Sequence, residues 1–221
     1  MDPLAYLHLQ IRLEGKTLVK EHFMRQVEVA PEEQMPLMLI AQLANKELVA
    51  YYAEGISIEL KKELAANLFE IVFPKVDPLL NVLQSHHLDY GLGHYKTYGF
   101  PAQPSKDMNV ICISKHDPNV KAFGFDGFAE NIYAIECNGS IVSACVSTRE
   151  NEKCGEAWVY TDAQYRNQGF AQKVVNAWAA SLTENGKVPF YSHKIENVAS
   201  ANLARKLGLQ PIFEEIAITQ I

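Results

Sequence analysis

Between residues 156 and 182 the spacing of apolar positions changes from that of a strand to that of a helix. Trp158, Val159 and Tyr160 are residue types that fill a pleated, half-buried surface, whereas Phe170, Val174, Trp178 and Leu182 recur every four residues on one helical face. A short polar turn, Asp162 to Gln168, separates them and is followed by Gly169 and Ala171. A strand that turns sharply into a helix with a glycine at its first turn leaves several backbone N–H groups without partners. Those donors and the positive end of the helix dipole suit a phosphate. Arg166, at the mouth of the turn, can add a planar, charge-assisted contact.

Elsewhere the pattern predicts alternating strands and helices. Leu7, Leu9, Ile11 and Leu13 alternate with His8, Gln10 and Arg12, which predicts a half-buried strand turning at Glu14-Gly15-Lys16. A helix from Asp2-Pro3 also fits, through Leu4, Leu7 and Ile11. Residues 38–40 and 48–52 read as a hairpin. Ser57 caps a helix whose stripe is Leu60, Leu64, Leu68 and Ile71, and Asp77-Pro78 opens a shorter one. Pro101 and Pro104, in an aperiodic stretch from Thr97 to Ser105, suggest a boundary between regions 1–105 and 106–221. Val110–Ile113 reads as a strand and Pro118–Asn131 as loop. Asn138-Gly139 joins strands 132–136 and 141–146. After the long helix come a strand at 188–192, a helix capped by Asn197 and ended by Gly208, and a last strand from Ile212. The expected fold class is α+β with a mixed sheet, preceded by a small α+β N-terminal region.

Composition narrows the function. With 221 residues, 48% of them hydrophobic, the chain can bury a sizeable core. A net charge of -6 argues against a broad nucleic-acid footprint and mildly suits a cationic amine. Cys112, Cys137, Cys145 and Cys154 have no metal-ligand spacing and read as reduced thiols. His86-His87 cannot readily share one ion, because adjacent helical side chains diverge by about 100°. Tyr90-Gly-Leu-Gly93 lacks the further glycine of a dinucleotide loop. Neither a signal peptide nor an apolar run of the ~20 residues of a membrane span is visible. The expected location is the cytoplasm.

The pattern Arg166-x-x-Gly169-x-Ala171, after a strand ending Val159-Tyr160-Thr161, resembles the acetyl-CoA motif of the GNAT (GCN5-related) N-acetyltransferase superfamily. Residues 189–192, 197–200 and 205–209 resemble the late strand and helix of that fold. The longer run from Ser143 to Leu209 is similar to a bacterial branch that carries an extra N-terminal region. The resemblance implies acetyl-CoA as cofactor, held where the strand ending at Thr161 splays from Val188–Ser192. It assigns the pantetheine arm to the main chain of Val159, Tyr160 and Thr161. The pyrophosphate falls to the N–H groups of Arg166, Asn167, Gln168, Gly169, Phe170 and Ala171. Asn197 matches the family's asparagine that contacts the cofactor near its thioester end, and Ser200, also expected to bind the cofactor, lies one turn further along. The N-terminal region is then expected to shape the acceptor site or a homodimer contact.

The implied reaction is acetyl transfer to a primary amine of a small molecule or to an exposed amino group. A lysine-like amine titrates near 10.4, so its neutral form at pH 7 costs about 4–5 kcal/mol, and a base is worth having. The thiol leaving group, near 8.5, departs with modest help. The family's usual tyrosine acid is replaced by Ala204, and the glutamate base of the branch that modifies protein N-termini by Ser192. Glu156 and His193 are the candidate bases, and the N–H of Tyr160 the candidate oxyanion donor. Tyr191 either lines the acceptor pocket or packs. The alternative is a regulatory module that binds acyl-CoA without turnover.

Overall fold

The computed structural model describes residues 2–19, 22–27, 35–101, 104–128 and 130–221. In chain order the elements are α1 (Pro3–Leu13), β1 (Lys16–Val19), β2 (Phe23–Gln26), β3 (Met38–Leu43), β4 (Leu48–Ala53), α2 (Ile58–Asn67) and α3 (Asp77–Ser85). They continue with β5 (Tyr90–Gly99), β6 (Ile111–Ser114), α4 (Pro118–Phe123), β7 (Asn131–Cys137), β8 (Ser140–Glu150) and β9 (Cys154–Thr161). The last four are α5 (Phe170–Glu184), β10 (Val188–Lys194), α6 (Val198–Lys206) and β11 (Gln210–Gln220). The fold class is α+β with parallel and antiparallel strand pairs, as expected.

The chain forms two compact units, one of Met1–Lys96 with Ile212–Ile221 and the other of Thr97–Pro211. In the first, β3 pairs antiparallel with β4 and, on its other edge, with β11. Helices α2 and α3 pack Leu60, Leu64, Leu79 and Leu83 against Met38, Ile40, Ile216 and Ile218. Ser57 Oγ accepts from Leu60 N–H at 3.1 Å, the cap expected for α2. The segment expected to open as a strand is α1. Proline at the first helical position is preset for a helix and loses no needed N–H, and Leu7 and Ile11, one turn apart, are fully buried on one face.

In the second unit the strand order is β10-β9-β8-β7-β6. Helix α5 covers one face, where Val174, Val175, Trp178 and Leu182 meet Val142, Cys145 and Ala157. The other face holds Ile141, Ala144 and Val146 against Val120 and Phe125. The stretch 118–131 is therefore not all loop: Asp117 caps α4 through its side chain, and Gly124, at φ 81°, ends it. Tyr90–Gly93 and Thr97–Gly99 belong to β5, a strand that its glycines and polar residues concealed. The chain's four cysteines are free, and Cys137 faces Ser140 across the hairpin rather than Cys145.

Trp178, 1% exposed, anchors α5 to β8: its indole N–H donates to Ser147 Oγ at 2.9 Å. Trp178→Phe removes the indole N–H and part of the buried ring, leaving Ser147 Oγ its bond to Glu150 alone, and should cost about 1–3 kcal/mol in urea unfolding. Tyr52 and Tyr191, 3% and 2% exposed, have phenols pushed up to about 12 by burial. Ionisation is then easier in the unfolded chain, so their contribution is complete below pH 10 and lost as pH rises towards 12. Stability should fall by on the order of 1 kcal/mol per pH unit for each phenol in that window. Urea unfolding followed across that range checks this, and Tyr191→Phe should flatten the decline.

Candidate functional site

The parallel pairing of β10 with β9 runs from Val188↔Cys154 to Phe190↔Glu156 and goes no further. Beyond it, residues 157–161 of β9 and 191–194 of β10 continue as strands without pairing to each other. Which main-chain groups face the gap follows from the other edge of β9. The Asp162 N–H donates to Val142 O at 2.9 Å, and the donors of an antiparallel strand alternate sides. Tyr160, paired with Ala144, therefore directs its N–H at β8, whereas Val159 and Thr161 direct theirs into the gap. This corrects the expectation for Tyr160: its N–H is consumed by the ladder, and the N–H groups turned to the gap are those of Val159 and Thr161.

Past the strand, Arg166 N–H closes a 3₁₀ turn on Ala163 O at 3.4 Å, which removes it from the expected set of free donors. Among the described residues, the N–H groups of Asn167, Gln168, Gly169, Phe170 and Ala171 find no acceptor within the protein. Asn167 and Gly169 are both left-handed, with φ of 63° and 80°. A Cβ added to Gly169 would meet only Gln172 Oε1, at 3.8 Å, so backbone conformation and not crowding by the protein demands glycine here. No acidic residue occupies the first turn of α5, so its positive dipole end is uncompensated.

These parts surround a cavity of about 630 Å³. The structure brings to its wall Val159, Tyr160, Thr161, Arg166, Asn167, Gly169, Phe170, Ala171, Asn197 and Ser200; Gln168 stays outside. Arg166 Nε donates to Thr161 O at 3.1 Å, which holds its guanidinium over the Tyr160 ring, 5.9 Å from the centroid. Asn197 Oδ1 accepts from Ser200 N–H at 3.0 Å as the cap of α6, leaving its amide nitrogen for the cavity. Tyr191 lines the cavity and its hydroxyl donates to Ser200 O at 3.4 Å. Arg205 and Lys206, which sequence reasoning took only as a helix end, also reach it. Gln172 Nε2 donates to Lys206 O at 3.1 Å, and Arg205 Nη2 donates to Asn202 Oδ1 at 3.3 Å.

The two candidate bases are elsewhere. Glu156, 8% exposed, is bound by Arg149 Nη1 at 2.9 Å and does not line the cavity. His193, also off the wall, sits within 2.8 Å of Lys194 O through Nδ1. A carbonyl can only accept, so Nδ1 carries the proton, and in the neutral ring Nε2 accepts from the Tyr98 hydroxyl at 3.2 Å. Neither partner was legible: Arg149 stands before an unremarkable turn, and Tyr98 lies in the strand that went unread.

Residues 122–216 match the family model of GNAT acetyltransferases. Over 110 residues the chain is 34% identical to the uncharacterized N-acetyltransferase YdfB of Bacillus subtilis, covering 50% of this chain and 41% of that protein. The chain therefore spans under half the length of that relative. A crystal structure of a GNAT-family acetyltransferase from Novosphingobium aromaticivorans superposes with a TM-score of 0.50 at 16% identity, covering 59% of this chain and 66% of that one. The likeness is one of fold. Over residues 122–216, the chain is similar to the GNAT acetyltransferases.

Proposed function

We propose that the protein is an acetyl-CoA-dependent N-acetyltransferase that moves an acetyl group to a primary amine by direct attack on the thioester. The observation that carries this reading is the conjunction of a strand edge left unpaired beyond Glu156 and five unpaired N–H groups at the start of α5. An amide-bearing pantetheine chain satisfies the first, because unpaired buried main-chain groups are costly. A diphosphate satisfies the second, with Arg166, Arg205 and Lys206 adding positive charge. When bound, the cofactor supplies an acetyl thioester.

The chain's own residues then orient and polarise. The N–H of Val159 faces the place where carbonyl charge would develop. The amide nitrogen of Asn197 is a second donor at the wall. In the balanced reaction an N–C bond forms and a C–S bond breaks. The ammonium gives up two protons, one of which leaves on the thiol. Direct transfer is favoured over an acetyl-cysteine route because no cysteine lines the cavity. The buried thiols are also poor nucleophiles: burial pushes Cys145 well up and Cys154 to about 11.

One observation favours a second reading, an acyl-CoA-binding module without turnover. Among the described residues, the cavity wall carries no carboxylate and no histidine, and Glu156 is occupied by Arg149. Two measurements decide. Acetyl-CoA and CoA should each raise the melting temperature. Gly169→Val, forced into φ 80°, should weaken CoA binding by about tenfold or more with an unchanged far-ultraviolet spectrum. Unchanged affinity would refute the cavity as the CoA site. In a panel of primary amines with acetyl-CoA, free thiol should appear in step with acetylated amine; saturable CoA binding without thiol release favours the module.

A further inference from the structure

Trp158, Tyr160 and Asp162 project from the same side of β9 and its extension, because alternate residues of a strand share a face. Trp158 and Tyr160 are each 40% exposed, an unusual exposure for rings otherwise well packed. Phe128 stacks on the Trp158 ring at 4.5 Å, Phe125 tilts against it at 4.6 Å, and Phe123 meets Tyr160 at 5.5 Å. Around them is a second cavity of about 580 Å³, whose wall includes Asn119, Phe123, Phe125, Trp158, Tyr160 and Asp162. Its charged wall residue is the half-buried Asp162. That side chain stands before the 3₁₀ turn Ala163–Tyr165 without capping it, and it has no hydrogen-bond or ion-pair partner among the described residues. Asn119 and Ser140 add neutral polar groups to the wall, and Asn119 Nδ2 donates to Glu136 Oε1 at 3.3 Å. Tyr160 lines this cavity and the cofactor cavity alike.

Aromatic faces with one unpartnered carboxylate recognise an organic cation. A carboxylate that holds an ammonium also stabilises its protonated form, which cannot attack a carbonyl. The cation held at Asp162 is therefore not the amine that reacts. We propose that the second cavity is the acceptor site and selects a diamine. Asp162 anchors one ammonium, the aliphatic chain lies along Trp158 and Tyr160, and the other amine reaches the open edge of β9. The proposal rests on the acetyltransferase reading.

The test is a titration with putrescine in the absence of acetyl-CoA, read by fluorescence. Of the chain's two tryptophans, Trp158 borders the cavity and Trp178 is buried as a constant background. A saturable change is expected. Asp162→Asn should weaken putrescine binding by about tenfold or more, as expected for a lost charge-assisted contact. n-Butylamine, which offers the anchored ammonium but no second amine, should bind the wild-type protein about as well as putrescine and release no thiol from acetyl-CoA; thiol release from n-butylamine as fast as from putrescine overturns the diamine site. Circular dichroism checks that the variant folds, and CoA affinity is measured on the same samples. Bound CoA with no putrescine signal, or a signal indifferent to Asp162→Asn, overturns the diamine site and leaves the acetyltransferase reading intact. Putrescine bound without any CoA affinity overturns the acceptor role by removing the reading beneath it.

Discussion

Two parallel strands that separate after three residue pairs impose a demand on everything around them. The ladder between β9 and β10 ends at Phe190 and Glu156, so Val159 and Thr161 turn main-chain groups towards a gap. Unpaired peptide groups that are shielded from water cost free energy comparable to a lost hydrogen bond. The opening is sustained because each strand is held from its other side or by side chains. On β9, the full-length pairing with β8 fixes the strand from Gly155 to Thr161. On β10, Tyr191 packs into the core under α5, and Thr97 and Ser192 join their hydroxyls at 2.9 Å.

The start of α5 depends on the same arrangement. The helix is pinned well down its length by Trp178 on Ser147, which fixes where its first turn falls relative to the end of β9. Gly155 allows the close approach: a Cβ there would meet Leu182 Cδ1 at 2.9 Å and Ser147 Oγ at 3.2 Å. Six residues after the strand ends, the polypeptide needs two left-handed residues, Asn167 and Gly169, to enter a helix already fixed by packing. A tight entry of that kind leaves the N–H groups of the first turn pointing outward. Anion-binding geometry here is a by-product of joining an open strand to an anchored helix.

Much of this could be read in the residues themselves. The change of period between Tyr160 and Phe170, the glycine at 169 and the cap at Asn197 are local signals. Residues from each of these signals, Tyr160, Gly169, Phe170 and Asn197, line one cavity. What escaped was long-range or directional. The alternation Leu7-Leu9-Ile11-Leu13 fits a strand as well as a helix, and only Pro3 and the buried Leu7–Ile11 face decide between them. The pairing of Arg149 with Glu156 spans a turn and a bulge that shifts the register between Ser147 and Arg149. The direction of the Tyr160 N–H depends on its partner strand, which side-chain identity does not encode. Strand β5 went unread because Gly91, Gly93 and Gly99 imitate loop composition.

The return of the C-terminal strand has a consequence for the order in which the protein can be made. Strand β11 supplies Ile216 and Ile218 to the core of the first unit and closes the free edge of β3, from Phe213↔Leu43 to Ile218↔Met38. On the ribosome, roughly 115 residues of the second unit must be translated between the two parts of the first, a delay on the order of ten seconds. During that interval the nascent first unit presents an apolar edge able to accept a foreign strand. The second unit is continuous in sequence and can close before its host does.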